Sequence, residues 1–204
     1  MNIFVLDENP VKAAFLVDDI RLPKMCLETC QMLATALHKL GVPDRHLPHT
    51  LKGTPYRPTH MNHPCTIWAG QSRQNFEWLV RHGIALCREF TRRFGKMHAC
   101  HTQITLCQHT MDVLDMTGRK GVTNHQTPFA LCMPDEYRPA YIHVASSPFD
   151  VLTDEGGNKI THATGDLAVA AYREYYQSKQ LTSKVEYKRT EKPEWFKIIA
   201  TKEE

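Results

Sequence analysis

One stretch, "PKMCLETCQMLATALHKLG" at residues 23–41, constrains the fold more than any other. Met25, Thr29, Met32, Leu33, Ala36, Leu37 and Leu40 recur at three- and four-residue spacings, which marks one face of a helix. Cys26, Leu27, Cys30 and Ala34 carry the apolar surface round most of the circumference. Only a narrow polar stripe remains: Lys24, Glu28, Gln31, Thr35 and His38. A helix apolar over so wide an arc has to be surrounded by other elements. Its polar stripe then faces solvent or an internal pocket.

The rest of the chain offers partners for that helix. "NPVKAAFLVDD" starts with Asn9 as a cap and Pro10 in the first turn, while "MNIFVLD" before it reads as a short strand or an extended lead-in. "SRQNFEWLVRHGIALCREFTRRFGK" is the longest helix, capped by Ser72, ended by Gly95, and apolar along Phe76, Leu79, Val80, Gly83, Leu86, Cys87, Phe90 and Phe94. "MHACHTQITLCQHTMDVLDMTG" and "GDLAVAAYREYYQSKQ" read as further helices. The expected fold is mainly α: a compact single-domain helical bundle over residues 1–204 with a small irregular or β insertion. Residues 139–162 read as that hairpin-like insertion, turning at "DEGGNK". Residues 181–204 form a charged C-terminal tail whose "PEWF" can dock back.

Composition excludes several classes. No apolar run approaches the length of a membrane span, and the N-terminus has no basic region before its few apolar residues, so neither a membrane anchor nor a signal peptide is expected. Seven irregularly spaced cysteines imply no disulfide framework, and reduced thiols in a cytoplasm are the simplest reading. Cys26 and Cys30, one helical turn apart, read as small apolar groups. A net charge of +3 permits nucleic-acid binding without demanding it.

Four sets of residues carry candidate chemistry. Two clusters, His60, His63, Cys65 and His98, Cys100, His101, hold metal-ligand types, but paired CxxC and HExxH spacings are absent, so no metal and no cofactor is expected. Lys24 and Glu28, four apart on the buried helix with Asp19 just upstream, make an amine/carboxylate pair suited to acid/base work or to an amine nucleophile. The bland alternative is a surface ion pair. Arg88, Arg92, Arg93, Lys96 and His98 suit phosphates, and Trp68, Trp78 and the Tyr172, Tyr175, Tyr176 cluster suit stacked bases. A solvated helix face over core aromatics explains the same residues. In "TPFALCMPDEYR", Asp135 and Glu136 are either catalytic acids or helix caps.

Several pieces, among them "DIRLPKMCLETCQML", "PTHMNHPCTIWAGQSRQNFEWL", "TPFALCMPDEY", "AYREYY" and "KPEWF", resemble a family of phage-encoded proteins over most of the chain outside residues 139–162. The most characteristic pieces hold Asp19, Lys24, Glu28, His60, Asn62, His63, Pro64, Trp68, Ser72, Asn75, Trp78, Pro134 and Tyr172. The order "MNIFVLD", "RLPKM", "NFEWLVRHGIALCREFTRRFGK", "KPEWFK" is also similar to that of the phage pyrimidine-dimer DNA glycosylases, compact all-α basic enzymes. In that family an N-terminal amine attacks a sugar carbon, assisted by a glutamate just before "LP". Arg21 stands at that glutamate's place here. The resemblance therefore implies Lys24 or the Met1 amine as nucleophile, with Glu28 or Asp19 as the acid.

The expected function is that of a phage-type enzyme acting on DNA bases or nucleotides, by cleavage or exchange of an N-glycosidic bond. Lys24, Glu28, Asp19 and His63 are the expected catalytic residues. His60, Asn62, Trp68, Ser72, Asn75, Trp78, Arg92, Arg93, Lys96 and Tyr172 are the expected substrate contacts. Two alternatives stay open: a transferase that hypermodifies pyrimidines in phage DNA, and a non-enzymatic protein that binds nucleic acid or a host component.

Overall fold

The computed structural model describes residues 1–113, 122–139 and 161–199. It is mainly α, with six α-helices and one two-stranded antiparallel sheet among the described residues. The helices are α1 (Pro10–Phe15), α2 (Leu22–Lys39), α3 (Pro64–Gln71), α4 (Arg73–Phe94), α5 (Cys100–Val113) and α6 (Gly165–Ser178). Strand β1 (Phe129–Ala130) pairs with β2 (His162–Ala163), Phe129 opposite Ala163. No helix is long and apolar enough to cross a membrane among the described residues. Apart from its ends, the expected insertion at 139–162 lies outside them.

The long central helices start and stop where their local chemistry dictates. Ser72 accepts the Asn75 N–H and opens α4, and Gly95 ends it with φ 69°, a left-handed conformation that glycine adopts without penalty. Asp18 accepts the N–H groups of Ile20 and Arg21 ahead of α2, which turns the chain into that helix. His63 caps α3 by accepting the Cys65 N–H, and Pro64 follows at the first helical position.

α2 packs against α3, α4 and α5, and α4 packs against α1, α2, α3 and α5. The expected burial of α2 is found along Met25, Cys26, Thr29, Cys30, Met32, Leu33, Ala36 and Leu37. Leu27 departs from that arc and is 40% exposed. Gly83 marks the tightest crossing: a methyl group there would lie 2.6 Å from Thr29 Cγ2 and 3.0 Å from Ile104 Cδ1. Only glycine lets α4 approach both neighbours so closely.

Of the two readings of the N-terminal segment, no strand forms; residues 1–7 are a buried lead-in to α1. Ile3, Val5 and Leu6 are fully buried, and Phe4 takes a positive φ of 36°. The Phe4 ring packs on Tyr172, Tyr175 and Tyr176, which fixes α6 against the start of the chain. Beyond α6 the chain runs back over α1 and α2. Phe196 is buried beside Tyr176 and Tyr187, and Asp19 accepts the backbone N–H groups of Lys188 and Arg189 at 2.8 Å each.

Candidate functional site

The bend at Phe4 is what builds the site. Asn2 Oδ1 accepts the Phe4 N–H at 2.9 Å, and Asn2 Nδ2 donates to the Cys132 carbonyl at 2.7 Å. The Asn2 backbone N–H donates to Glu28 Oε2 at 3.1 Å. Asn2 thus lays the first residues across α2 and leaves the Met1 amine 3.9 Å from Glu28 Oε1. Lys24 Nζ approaches the same oxygen at 3.4 Å. One carboxylate therefore holds the backbone through one oxygen and faces two amines through the other.

These groups line a pocket of about 300 Å³ together with Phe4, Arg21, Met25, Tyr175, Lys179, Thr182 and Ser183. The size matches the lower end of small-molecule sites. Glu28 is 9% exposed, whereas the Lys24 side chain is 73% exposed at the rim. Lys179 donates to the Tyr175 hydroxyl at 2.6 Å and sits 3.9 Å from that ring's centroid. Arg21 is tied down by Asp18 at 2.9 Å and by Ser183 at 2.5 Å, so it joins the start of α2 to the segment after α6. The pocket is thus a small concavity with four cationic groups and a single carboxylate at its centre.

The other expected site residues are placed as follows. His63 is half-buried next to the pocket's N-terminal wall. Burial pulls its imidazole below the ordinary value, the positive Met1 amine and His60 add to the shift, and Glu28 opposes it. His60 and Asn62 are exposed, with His60 at φ 50° and its Nδ1 bonded to Thr59 Oγ1. Neither lines the pocket. Asp19 lies in a different place: it pairs with Arg93 at 3.2 Å and anchors the C-terminal tail.

Trp68, Trp78 and Phe129 pack ring to ring within 5.8 Å, with Trp68 fully buried, so these indoles offer no open face to a base. Asn75 holds Trp68 and Thr127 through Nδ2 and Oδ1, and Ser72 caps α4. Tyr172 is fully buried and donates to the Ala130 carbonyl. The basic strip also divides. Arg93 is buried against Glu89, Asp19 and the carbonyls of Phe15 and Val17, and Arg92 grips Glu89 with two hydrogen bonds of 2.8 Å. Lys96 remains exposed. Asp135 and Glu136 lie exposed in a 3₁₀ turn, Asp135 paired with Arg138.

Among the described residues, two groups bring three ligand-type atoms within 4.8 Å of one another: Cys26, Cys87 and His98, and His63, Cys65 and Cys132. All seven cysteines are free thiols.

A family model described as pyrimidine dimer DNA glycosylase matches residues 1–103. The chain belongs to the pyrimidine dimer DNA glycosylase family. Searches of curated proteins and of solved structures gave no match. The matched half supplies the amine and carboxylate wall of the pocket. The opposite wall, Tyr175, Lys179, Thr182 and Ser183, lies beyond it. Family membership fits glycosylase-type activity on DNA bases. In this chain the carboxylate beside the amine is Glu28, in the second turn of α2, and the position just before "LP" holds Arg21.

Sequence reasoning named Tyr175 of the pocket's far wall only as a stacking surface, and missed Lys179, Thr182 and Ser183. Tyr175 and Lys179 are four apart at the end of α6, a spacing that was available, but nothing local tells which helix end meets α2.

Proposed function

We propose that the protein cleaves the N-glycosidic bond of a pyrimidine in DNA, using the Met1 amine as nucleophile and Glu28 as its proton acceptor. The observation that supports this reading is the meeting of two amines on one buried carboxylate oxygen inside a pocket. The Met1 amine stands inside the pocket beside Glu28 while the Lys24 side chain reaches out to the rim, which favours the chain's first amine over Lys24. The Lys24 side chain, largely exposed at the rim, is suited instead to a phosphate.

The step balances as follows. Glu28 takes one proton from the ammonium, and the freed nitrogen lone pair bonds to the sugar C1′. The C1′–base bond breaks, and the base leaves with the bonding pair and takes up the proton that Glu28 received; a second amine proton then passes to O4′ as the C1′–O4′ bond opens, which leaves a protonated imine between Met1 and the sugar. The target nucleotide must leave the duplex to reach the amine. The experiment measures release of the base from its sugar, read as abasic sites, in a duplex carrying a cyclobutane pyrimidine dimer (the detached base stays joined to its neighbour through the cyclobutane ring), compared with undamaged DNA. Glu28→Gln keeps the shape and removes the proton acceptor, so release should fall by about 10²–10⁴-fold with the melting temperature nearly unchanged. Lys24→Ala should cost roughly tenfold or less, mostly in substrate binding at higher salt. Wild-type rates in Glu28→Gln would sink the assignment.

One observation favours a second reading. Because the far wall lies outside the matched half, the substrate can differ from the family's. A hypermodification enzyme would use the same amine-lined pocket to exchange a group on a modified pyrimidine. Mass analysis of nucleosides from treated DNA separates the two: a new adduct favours exchange, and abasic sites favour cleavage.

A further inference from the structure

Four of the seven cysteines, from three separate stretches of the chain, lie in the core on the side of α2 away from the pocket. Cys26 and Cys30 come from α2, Cys87 from α4 and Cys100 from the first turn of α5, with His98 just before it. Cys26 and Glu28 are two residues apart, about 200° round the helix, so the cluster and the pocket use opposite faces. Cys26, Cys30 and Cys87 are fully buried and Cys100 is 2% exposed.

These thiols are not isolated apolar groups: the ligand-type atoms of Cys26, Cys87 and His98 lie together, and Cys100 is joined to His98 through its backbone. The Cys100 N–H donates to His98 Nδ1 at 3.2 Å, and the Tyr56 hydroxyl lies 3.7 Å from Cys100 Sγ. Cys107, also buried on α5, belongs to neither group of ligand-type atoms.

The ligand atoms of Cys26, Cys87 and His98 already lie within 4.8 Å of one another. A tetrahedral ion with metal–sulfur bonds of about 2.3 Å needs neighbouring donors roughly 3.8 Å apart. Small side-chain adjustments close that difference. Cys100, whose N–H donates to His98 Nδ1 and whose Sγ faces the Tyr56 hydroxyl, would supply the fourth donor. Soft thiolates with one imidazole in a closed tetrahedral set are the donors that zinc-class ions prefer.

We propose that Cys26, Cys87, Cys100 and His98 bind one tetrahedral, thiophilic divalent ion of the zinc class at the junction of α2, α4 and α5. Cys30 and the Tyr56 hydroxyl then serve as hydrogen-bonding partners of the Cys100 sulfur, as outer groups commonly do at such sites. Four protein donors leave no open position, so the ion's role is structural: it ties three core helices that no disulfide joins. Binding replaces the thiol protons, and each bound thiol releases one proton to solvent.

The proposal does not depend on the glycosylase reading, and its test is separate. Full-length wild-type protein, purified without chelator, should carry about one zinc per chain by elemental analysis. Exchange with Co²⁺ should give the intense visible bands and sulfur-to-metal charge transfer of tetrahedral thiolate coordination. Cys26→Ala and Cys87→Ala should lose them, Cys107→Ala and Glu28→Gln should keep them, and chelation should lower the melting temperature of wild type. Wild type with no zinc and no thiolate–cobalt bands, or a metal content unchanged in the Cys26→Ala/Cys87→Ala protein, would overturn it. The wild-type spectrum decides the matter even where a variant fails to fold.

Discussion

Glu28 divides its two oxygens between architecture and chemistry: Oε2 takes the Asn2 N–H and Oε1 faces the amines. That division is why Glu28→Gln is the informative substitution, since an amide keeps an acceptor for Asn2. Lys24 and Glu28 were legible in the sequence because a polar pair on an otherwise buried helix has few places to face. The approach of Met1 was not, because it depends on the strained turn at Phe4 and on three Asn2 hydrogen bonds, none of which has a spacing signature. Trp68, Asn75, Asp19 and Tyr172 are residue types that build sites and cores alike, and here their partners are core and tail groups. His82 makes a prediction of the same kind. It is fully buried, bonded through Nδ1 to the Pro10 carbonyl, and burial lowers it from 6.5 to about 4. Above pH 6.5 folded and unfolded chains are both neutral there. As pH falls from 6.5 toward 4, the unfolded chain takes a proton that the folded one refuses. Stability should drop by up to about 3 kcal/mol across that window. Urea titrations at pH 7 and pH 4.5 check it. His82→Asn, which keeps a donor for Pro10, should show a shallower loss.

Among the elements, the crossing of α2, α4 and α5 carries the core. Its helices were readable from periodicity, and the caps at Ser72 and Gly95 from their residue types. The angle and closeness of the crossing were not, because they are set by Gly83 meeting Thr29 and Ile104 across chain separations no local pattern spans. Gly83→Ala should therefore destabilise by about 1–3 kcal/mol, overcoming a helix-propensity gain of about 1 kcal/mol. Adding Thr29→Ser, which removes the clashing methyl, should recover part of the loss in a thermal melt. A stabilised Gly83→Ala protein would show that the crossing is looser than the geometry requires. The short β1–β2 pairing is likewise beyond sequence reading, since two-residue strands carry too little alternation to register.

The whole molecule closes the pocket by folding its last third over its first. Matched residues 1–103 bring the amines and Glu28, and residues 175–183 bring the far wall. Arg93 is the rivet: fully inside, it holds Glu89, Asp19 and two α1-side carbonyls, while Asp19 holds the tail. Arg93→Met should cost about 3–5 kcal/mol by leaving buried Asp19 without its cationic partner and Glu89 with Arg92 alone. It should also expose residues 182–199 to limited proteolysis before the helices are cut. Tail resistance equal to wild type would separate the tail's docking from this network. The most direct test of the central claim is borohydride trapping. The protein is mixed with a duplex carrying a pyrimidine dimer, the covalent imine to the sugar is reduced, and the linked peptide is located by mass spectrometry. The account predicts a DNA adduct on the Met1 amine, absent in Glu28→Gln. An adduct on Lys24, or base release with no trapped adduct, would contradict it.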